Sequence, residues 1–255
     1  MTRSGDRHRI YHKAAVLYSG KGYHIAVYLV ANRTLVNVAV FETELDRDGE
    51  ILPEREQVQN NVDIARLVAI FSTWEPEAQA IIKVCSQRMK CRSWFTLAIQ
   101  CMENTTRMGY QCNPEASVFC TCRIAVVGDA AHAMTTHLAG GTDQALEDAY
   151  VIGRVLSAPN ITRATAHFAL QAYSTTRMLR AQAIAEASRE VGRLVDWVFV
   201  RPGDKDPITD EAACCLELER LSKVVTAGEP EEEFKHGVKE FNRLIEVYRL
   251  ICYDI

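Results

Sequence analysis

Apolar positions recur along this chain at two different spacings. Residues 14–18, 24–30 and 35–41 are dense in β-branched and aromatic side chains, with short polar links between them. Gly20 and Gly22 punctuate the first pair, and Asn32 lies in the link between the second and third. The pattern predicts three strands in an antiparallel meander. Residues 46–59 are charged and polar, with Gly49 and Pro53, and predict an exposed loop. The spacing then becomes helical. Ile64, Leu67, Val68 and Phe71 share one face, with Asn61 as a cap. Pro76, flanked by Glu75 and Glu77, opens a second short helix through Ile81 and Ile82. Residues 93–99 have strand character, and residues 100–122 show no clear period.

A sharper unit follows. Residues 124–127 form a short apolar strand, 128–142 a glycine- and alanine-rich loop, and 144–156 a helix. A longer helix is predicted over 162–195, with Phe168, Tyr173, Leu179, Ile184 and Val191 on its face. A last helix starts after Pro230, with Glu231, Glu232 and Glu233 in its first turn. Its stripe is Phe234, Val238, Phe241, Leu244, Ile245 and Tyr248. Strand 124–127 is apolar on both faces, as an interior strand of a parallel sheet is. Left uncovered it exposes backbone groups and apolar surface, so self-association through it is expected. The organisation predicted is 1–110, a sheet with helices; 111–157, a strand-loop-helix; and 158–255, a helical region.

Composition narrows the function classes. The chain has 255 residues, 48% hydrophobic and 24% charged, which suits one large or two small globular domains. A net charge of −4 offers no attraction to nucleic acid or an anionic membrane surface. No apolar run reaches membrane-spanning length, and residues 1–9 are basic and polar, unlike a signal peptide. A cytoplasmic location is expected. The 9 cysteines are an odd number and are expected to be reduced. Cys112, Cys120 and Cys122 lack the paired spacing of a zinc site, and no metal is expected.

The chemistry lies in residues 123–149, RIAVVGDAAHAMTTHLAGGTDQALEDA. Asp129 follows Gly128 at the predicted C-terminal edge of a strand, where open α/β sheets bind ligands. Ala130, Ala131 and Ala133 leave room for a large flat group. Gly140 and Gly141 let backbone N–H groups approach without side-chain obstruction. The helix from Thr142 onward aims its positive end at the same place. That arrangement suits hydroxyls near a carboxylate and negative charge near a helix start. A structural strand-loop-helix turn accounts for the same spacing equally well.

The stretch GDAAHAMTTHLAGGTDQALEDA resembles the flavin signature of the class A FAD-dependent aromatic-ring monooxygenases. Within them it is most similar to the salicylate hydroxylase-like group with a para-hydroxybenzoate hydroxylase fold. Phe71, Ser72, Trp74, Glu75 and Pro76 resemble a helix-turn of that family's substrate domain. Gly20, Gly22, His24, Tyr28, Leu35 and Asn37 resemble its sheet, and Tyr173, Arg177, Arg180 and Ser188 match its long helix. The resemblance covers residues 11–191 and implies an α/β fold, or α+β if a missing half is discounted. It corresponds to the C-terminal part of such enzymes. No G-x-G-x-x-G stands between a strand and a helix in this sequence. The expectation is therefore an N-terminally truncated monooxygenase.

The resemblance implies FAD as cofactor, NAD(P)H as co-substrate, and O2-dependent hydroxylation of an aromatic or polyketide-like small molecule. Asp129, after Gly128, then meets a ribityl hydroxyl, and the backbone around Ala139, Gly140, Gly141 and Thr142 faces the pyrimidine edge of the flavin. The adenine and pyrophosphate contacts belong to the missing unit, so FAD is expected to be held weakly. Three positions depart from the family: Thr136 where Pro is usual, Ala139 where Gly is usual, and Asp143 where Asn or Gly is common. The alternatives are a non-catalytic remnant or binding protein of the same family, and an incomplete gene model.

The catalytic group is left unassigned. His132 and His137 are expected to pack in the loop rather than ligate a metal. His24 is expected to be half-buried rather than a base. Arg177 and Arg180 are expected to be solvated or paired with Glu186 or Glu190, and Tyr173 to belong to the core.

Overall fold

A computed structural model describes residues 15–47, 58–59, 64–88, 107–108, 118–159 and 161–253 of the chain. The expected strand at 93–99 and the cap at Asn61 lie outside them. The chain divides into two units, residues 1–109 with 195–207, and residues 110–194 with 208–255.

The first unit is built on the predicted meander. Strands β1 (Ala15–Gly20), β2 (Tyr23–Val30) and β3 (Leu35–Glu42) pair antiparallel in the order β1-β2-β3. The register sets Ala15 against Tyr28 and Tyr23 against Glu42. Gly22 turns the first hairpin at φ 79, a left-handed value that glycine adopts without strain. Because strand side chains alternate, Tyr23, Ile25, Val27 and Leu29 share one face. They pack with Tyr18 against Phe71, Ala78 and Ile82, from helices α1 (Ile64–Ile70) and α2 (Pro76–Arg88) and the turn between them. A Cβ at Gly20 would lie 2.6 Å from the Trp74 ring, so the indole needs glycine there. His24 falls on the opposite face, and Asp196 meets this end of the sheet: Gly22 N–H donates to the Asp196 carbonyl at 2.9 Å. The short strands β4 (Val58–Gln59) and β5 (Arg107–Met108) pair antiparallel.

The second unit is mainly helical. It contains strands β6 (Cys120–Thr121) and β7 (Ile124–Ala125), the short helix α3 (Asp129–His132), and helices α4 (Gly140–Leu156), α5 (Ala166–Val195), α6 (Glu211–Thr226) and α7 (Pro230–Tyr253). Val151 and Val155 of α4, Ala169, Ala172, Tyr173 and Ala181 of α5, and Phe241 and Ile245 of α7 form its core with Phe119 and Ala131. Gly237 lets α7 approach closely, since a Cβ there would stand 3.2 Å from Val155 Cγ2.

Several expectations change. The strand at 124–127 shortens to Ile124–Ala125 and pairs antiparallel with Cys120–Thr121, not within a parallel sheet. The turn at Cys122, φ 50, supplies a local partner, and Ile124 is 69% exposed. Among the described residues every strand pairing is antiparallel, so the described architecture is of the α+β kind. The helix expected from Gln144 starts at Gly140, and α3 lies within the expected loop. Helix α6 was not foreseen; its Asp210 side chain caps it by accepting from Ala213 N–H at 2.9 Å. Among the described residues no helix is long and apolar enough to cross a membrane.

Candidate functional site

Residues 126–142 of the second unit contain all the site residues expected from sequence. Gly128 stands at φ 58, ψ −140, a conformation that disfavours other residues, and opens α3. A Cβ there would also meet Ala145 of α4 at 3.4 Å. Residues 126–128 separate the end of β7 from Asp129, which is the exposed first residue of α3. Gly140, Gly141 and Thr142 form the first turn of α4, and Gly140 is buried against Ile184. Ala139, at the N-cap, stands at φ 53 in the left-handed region, and no side chain caps the helix. Alanine thus adopts the backbone geometry that a glycine would hold more easily. The N-cap side chain therefore takes none of the first-turn N–H groups of α4, which carry the positive end of the helix. Asp143 is exposed in that turn, where an acidic group favours the helix start.

One helix holds this loop from behind. Along α5, Tyr173 donates its hydroxyl to the Val126 carbonyl at 3.0 Å. Ser188 donates to the Thr135 carbonyl at 2.7 Å and accepts from Leu138 N–H at 3.3 Å. At Gly192 a Cβ would lie 2.6 Å from His137 Cε1, so a missing side chain makes room for that ring. Burial raises the Tyr173 phenol well above its usual range, with Asp148 adding to the shift. Tyr173 is a neutral structural donor, as its expected place in the core implied.

The polar centre of the unit is Asp148. It is fully buried on α4 and accepts from Gly128 N–H at 3.0 Å, His132 Nε2–H at 2.7 Å and Arg177 Nε–H at 2.9 Å. Burial alone would raise its carboxyl, but the hydrogen bonds from His132, Arg177 and Gly128 outweigh it and hold the group below the usual carboxylate range. Arg177 is fully buried, contrary to the expectation of a side chain solvated or paired with Glu186 or Glu190. It donates to Gln144 Oε1 at 2.7 Å and Glu147 Oε2 at 2.8 Å, and also to Glu233 of α7. Arg180 pairs with Glu233 at 2.8 Å and donates to the Val225 carbonyl at 3.1 Å. Glu186 and Glu190, the expected partners, pair instead with Arg189 and Arg220. Arg177 missed them because residues nine or more apart lie turns away on one helix, beyond the reach of neighbouring pairs. His132 serves Asp148, and no metal-binding cluster occurs among the described residues.

The first unit has its own buried carboxylate. Asp196 accepts from His24 Nδ1–H at 2.8 Å and from Thr43 Oγ1–H at 2.5 Å. The His24 ring stacks on Phe41, with centroids 4.3 Å apart and planes 7° apart. His24 is 1% exposed, not half-buried as expected. The signal available in the sequence was its polarity at an otherwise apolar strand position.

Residues 111–188 match the family model described as FAD binding domain. A salicylate hydroxylase of Pseudomonas putida is 25% identical over 180 residues, 71% of this chain and 38% of that protein. The FAD-dependent monooxygenase SAT7 of Stachybotrys chartarum is 26% identical over 215 residues, 82% of this chain and 41% of that protein. Among solved structures, a salicylate hydroxylase in a substrate complex superposes with a TM-score of 0.70 at 20% identity, covering 88% of this chain and 49% of that one. The chain therefore spans less than half the length of these relatives. It resembles the class A FAD-dependent monooxygenases, and FAD is the cofactor that the matched segment implies. The residues present fit that group: an uncapped helix start, a glycine pair and an exposed carboxylate lie in one matched segment.

Proposed function

We propose that this chain carries the flavin-contacting segment of a monooxygenase that hydroxylates an aromatic or polyketide-like small molecule with NAD(P)H and O2. The observation that supports it best is the start of α4, where Ala139 is left-handed, Gly140 and Gly141 follow, and no side chain caps the helix. Asp129 accepts from a ribityl hydroxyl. The backbone N–H groups of the Ala139–Thr142 turn take the pyrimidine edge of the flavin, and the helix start stabilises negative charge there. FAD, when bound, supplies the redox chemistry with oxygen; this chain binds and orients the ring.

Riboflavin tests the reading, because it carries the ribityl chain and the ring without the pyrophosphate. Fluorescence quenching is expected to show saturable binding of riboflavin by the chain, competed by FAD. Asp129→Ala is expected to weaken it about tenfold, as the loss of one hydrogen bond to a charged acceptor implies. No saturable quenching by either flavin, or full affinity in Asp129→Ala, would remove this segment from the flavin site. Substrate-stimulated NAD(P)H oxidation then tests turnover.

A further inference from the structure

We infer that Asp148, clamped by Arg177 and Glu233, is the positioning residue that sets the Gly128–Asp129 turn, so that helix α7 governs the flavin-contacting segment. The inference rests on the flavin reading proposed above.

Three observations carry it. Asp148 is the group that fixes the turn: one oxygen, Oδ2, takes both Gly128 N–H at 3.0 Å and His132 Nε2–H at 2.7 Å. Those two donors bracket Asp129, which lies between them in sequence and is exposed in the first turn of α3. The direction of the Asp129 carboxylate therefore follows from how its two flanks are held. The second oxygen, Oδ1, takes Arg177 Nε–H at 2.9 Å, which fixes the carboxylate's rotation. Arg177 is itself oriented by Glu147 at 2.8 Å and by Glu233, which holds Arg180 at 2.8 Å with its other oxygen. Glu233 is in the first turn of α7, outside the matched segment 111–188.

The helix is docked to do this. Tyr150 of α4 donates to Glu231 at 2.6 Å, the Arg154 guanidinium lies 4.2 Å from the Phe234 ring centroid, and Phe241 is buried in the core. These contacts keep Glu233 in place without involving Asp148. Guanidinium, carboxylate and imidazole form a continuous buried chain, in which a change at Glu233 alters Arg177 before it alters the turn.

The variants are Asp148→Asn, Glu233→Gln and the double variant of the full chain. The amide signal of Gly128 is recorded by nitrogen-edited NMR without flavin, and riboflavin affinity by fluorescence. A peptide N–H donating to a carboxylate is deshielded, so Asp148→Asn is expected to move the Gly128 signal upfield and weaken riboflavin about tenfold. Glu233→Gln is expected to move the same signal the same way, with an affinity loss of about threefold. In the double variant the Glu233 effect disappears, because its route runs through Asp148; a merely structural role would add. An unmoved Gly128 signal in Asp148→Asn overturns the positioning role, and additive effects overturn the link to α7. Should Asp148→Asn fail to fold, Glu233→Gln decides alone through the Gly128 signal. A parent chain that binds no riboflavin overturns the flavin reading, while the amide signal still decides the positioning.

Discussion

Each unit of this protein buries an aspartate against a histidine, and the two are compensated differently. Asp148 in the second unit has a permanent cation, Arg177, as well as His132 and a backbone N–H. Among the described residues, the side-chain donors to Asp196 in the first unit are His24 and Thr43, neither of which is a permanent cation. A buried carboxylate with a guanidinium partner depends on charge pairing, and removing the cation leaves an uncompensated charge. A carboxylate held by an imidazole and a hydroxyl behaves more as a hydrogen-bond acceptor joining strand ends to a covering segment. The first arrangement stiffens a loop that is a candidate ligand contact. The second ties β2 and the residue that follows β3 to Asp196.

The largest effect is expected from Arg177→Met, which keeps much of the stem's volume and removes every donor. Asp148 then stays buried without its cation, and Glu147 and Glu233 each keep Arg180 but lose Arg177. The expected loss is about 3–5 kcal/mol, measured by urea denaturation. A loss below about 1 kcal/mol would mean that Arg177 is no more than a surface-like pair and would erase the contrast.

Asp196→Asn is expected to cost less, about 1–3 kcal/mol, because one amide oxygen still accepts while the NH2 group faces donors. The loss should appear as faster amide exchange in β2 and β3. If it equals the loss at Arg177, the two centres are of one kind.

The two centres also differ in how far sequence reveals them. The meander follows from β-branched residues at alternating positions, and its strands match the expected spans within a residue or two. The apolar stripe Phe234–Tyr248 likewise announces α7, because its periodicity is local. The Asp148 centre has no local signature. Arg177 meets Asp148 from 29 positions away and Glu233 from 56 away, and only the packing of α4, α5 and α7 joins them. The early start of α4 was hidden because Gly140 and Gly141 have poor helix propensity, which tertiary packing of Gly140 on Ile184 overrides. Helix α6 did carry a signal, Asp210 followed by Glu211, that its mixed apolar pattern obscured.

Acid sharpens the contrast. The folded Asp148 carboxyl is held below its ordinary value of 3.8. A depressed carboxylate contributes stability that is present above the unfolded value and lost as pH falls through the folded one. The loss due to Asp148 is therefore expected below pH 3.8. Urea midpoints recorded from pH about 5 down to about 2 should fall more steeply for the parent than for Asp148→Asn, by about 1.4 kcal/mol per unit of depression. Parallel curves would show that Asp148 titrates alike in both states.

The smallest effect concerns what holds the His24 ring. Its Nδ1–H is fixed by Asp196, and its face is stacked on Phe41 at 4.3 Å with planes 7° apart. Phe41 stands opposite His24 in the β2–β3 register, so the stack is a cross-strand pair on the face away from the Phe71 core. Phe41→Leu keeps apolar bulk there and removes only the ring face. The expected loss is about 0.5–1.5 kcal/mol, the usual worth of an aromatic pair beyond its buried area. In a double-mutant cycle with Asp196→Asn the two losses should couple, since both groups restrain one imidazole. Combined with Arg177→Met they should simply add. Additivity with Asp196→Asn would mean that the hydrogen bond alone orients His24 and that the stack is packing without consequence for the ring.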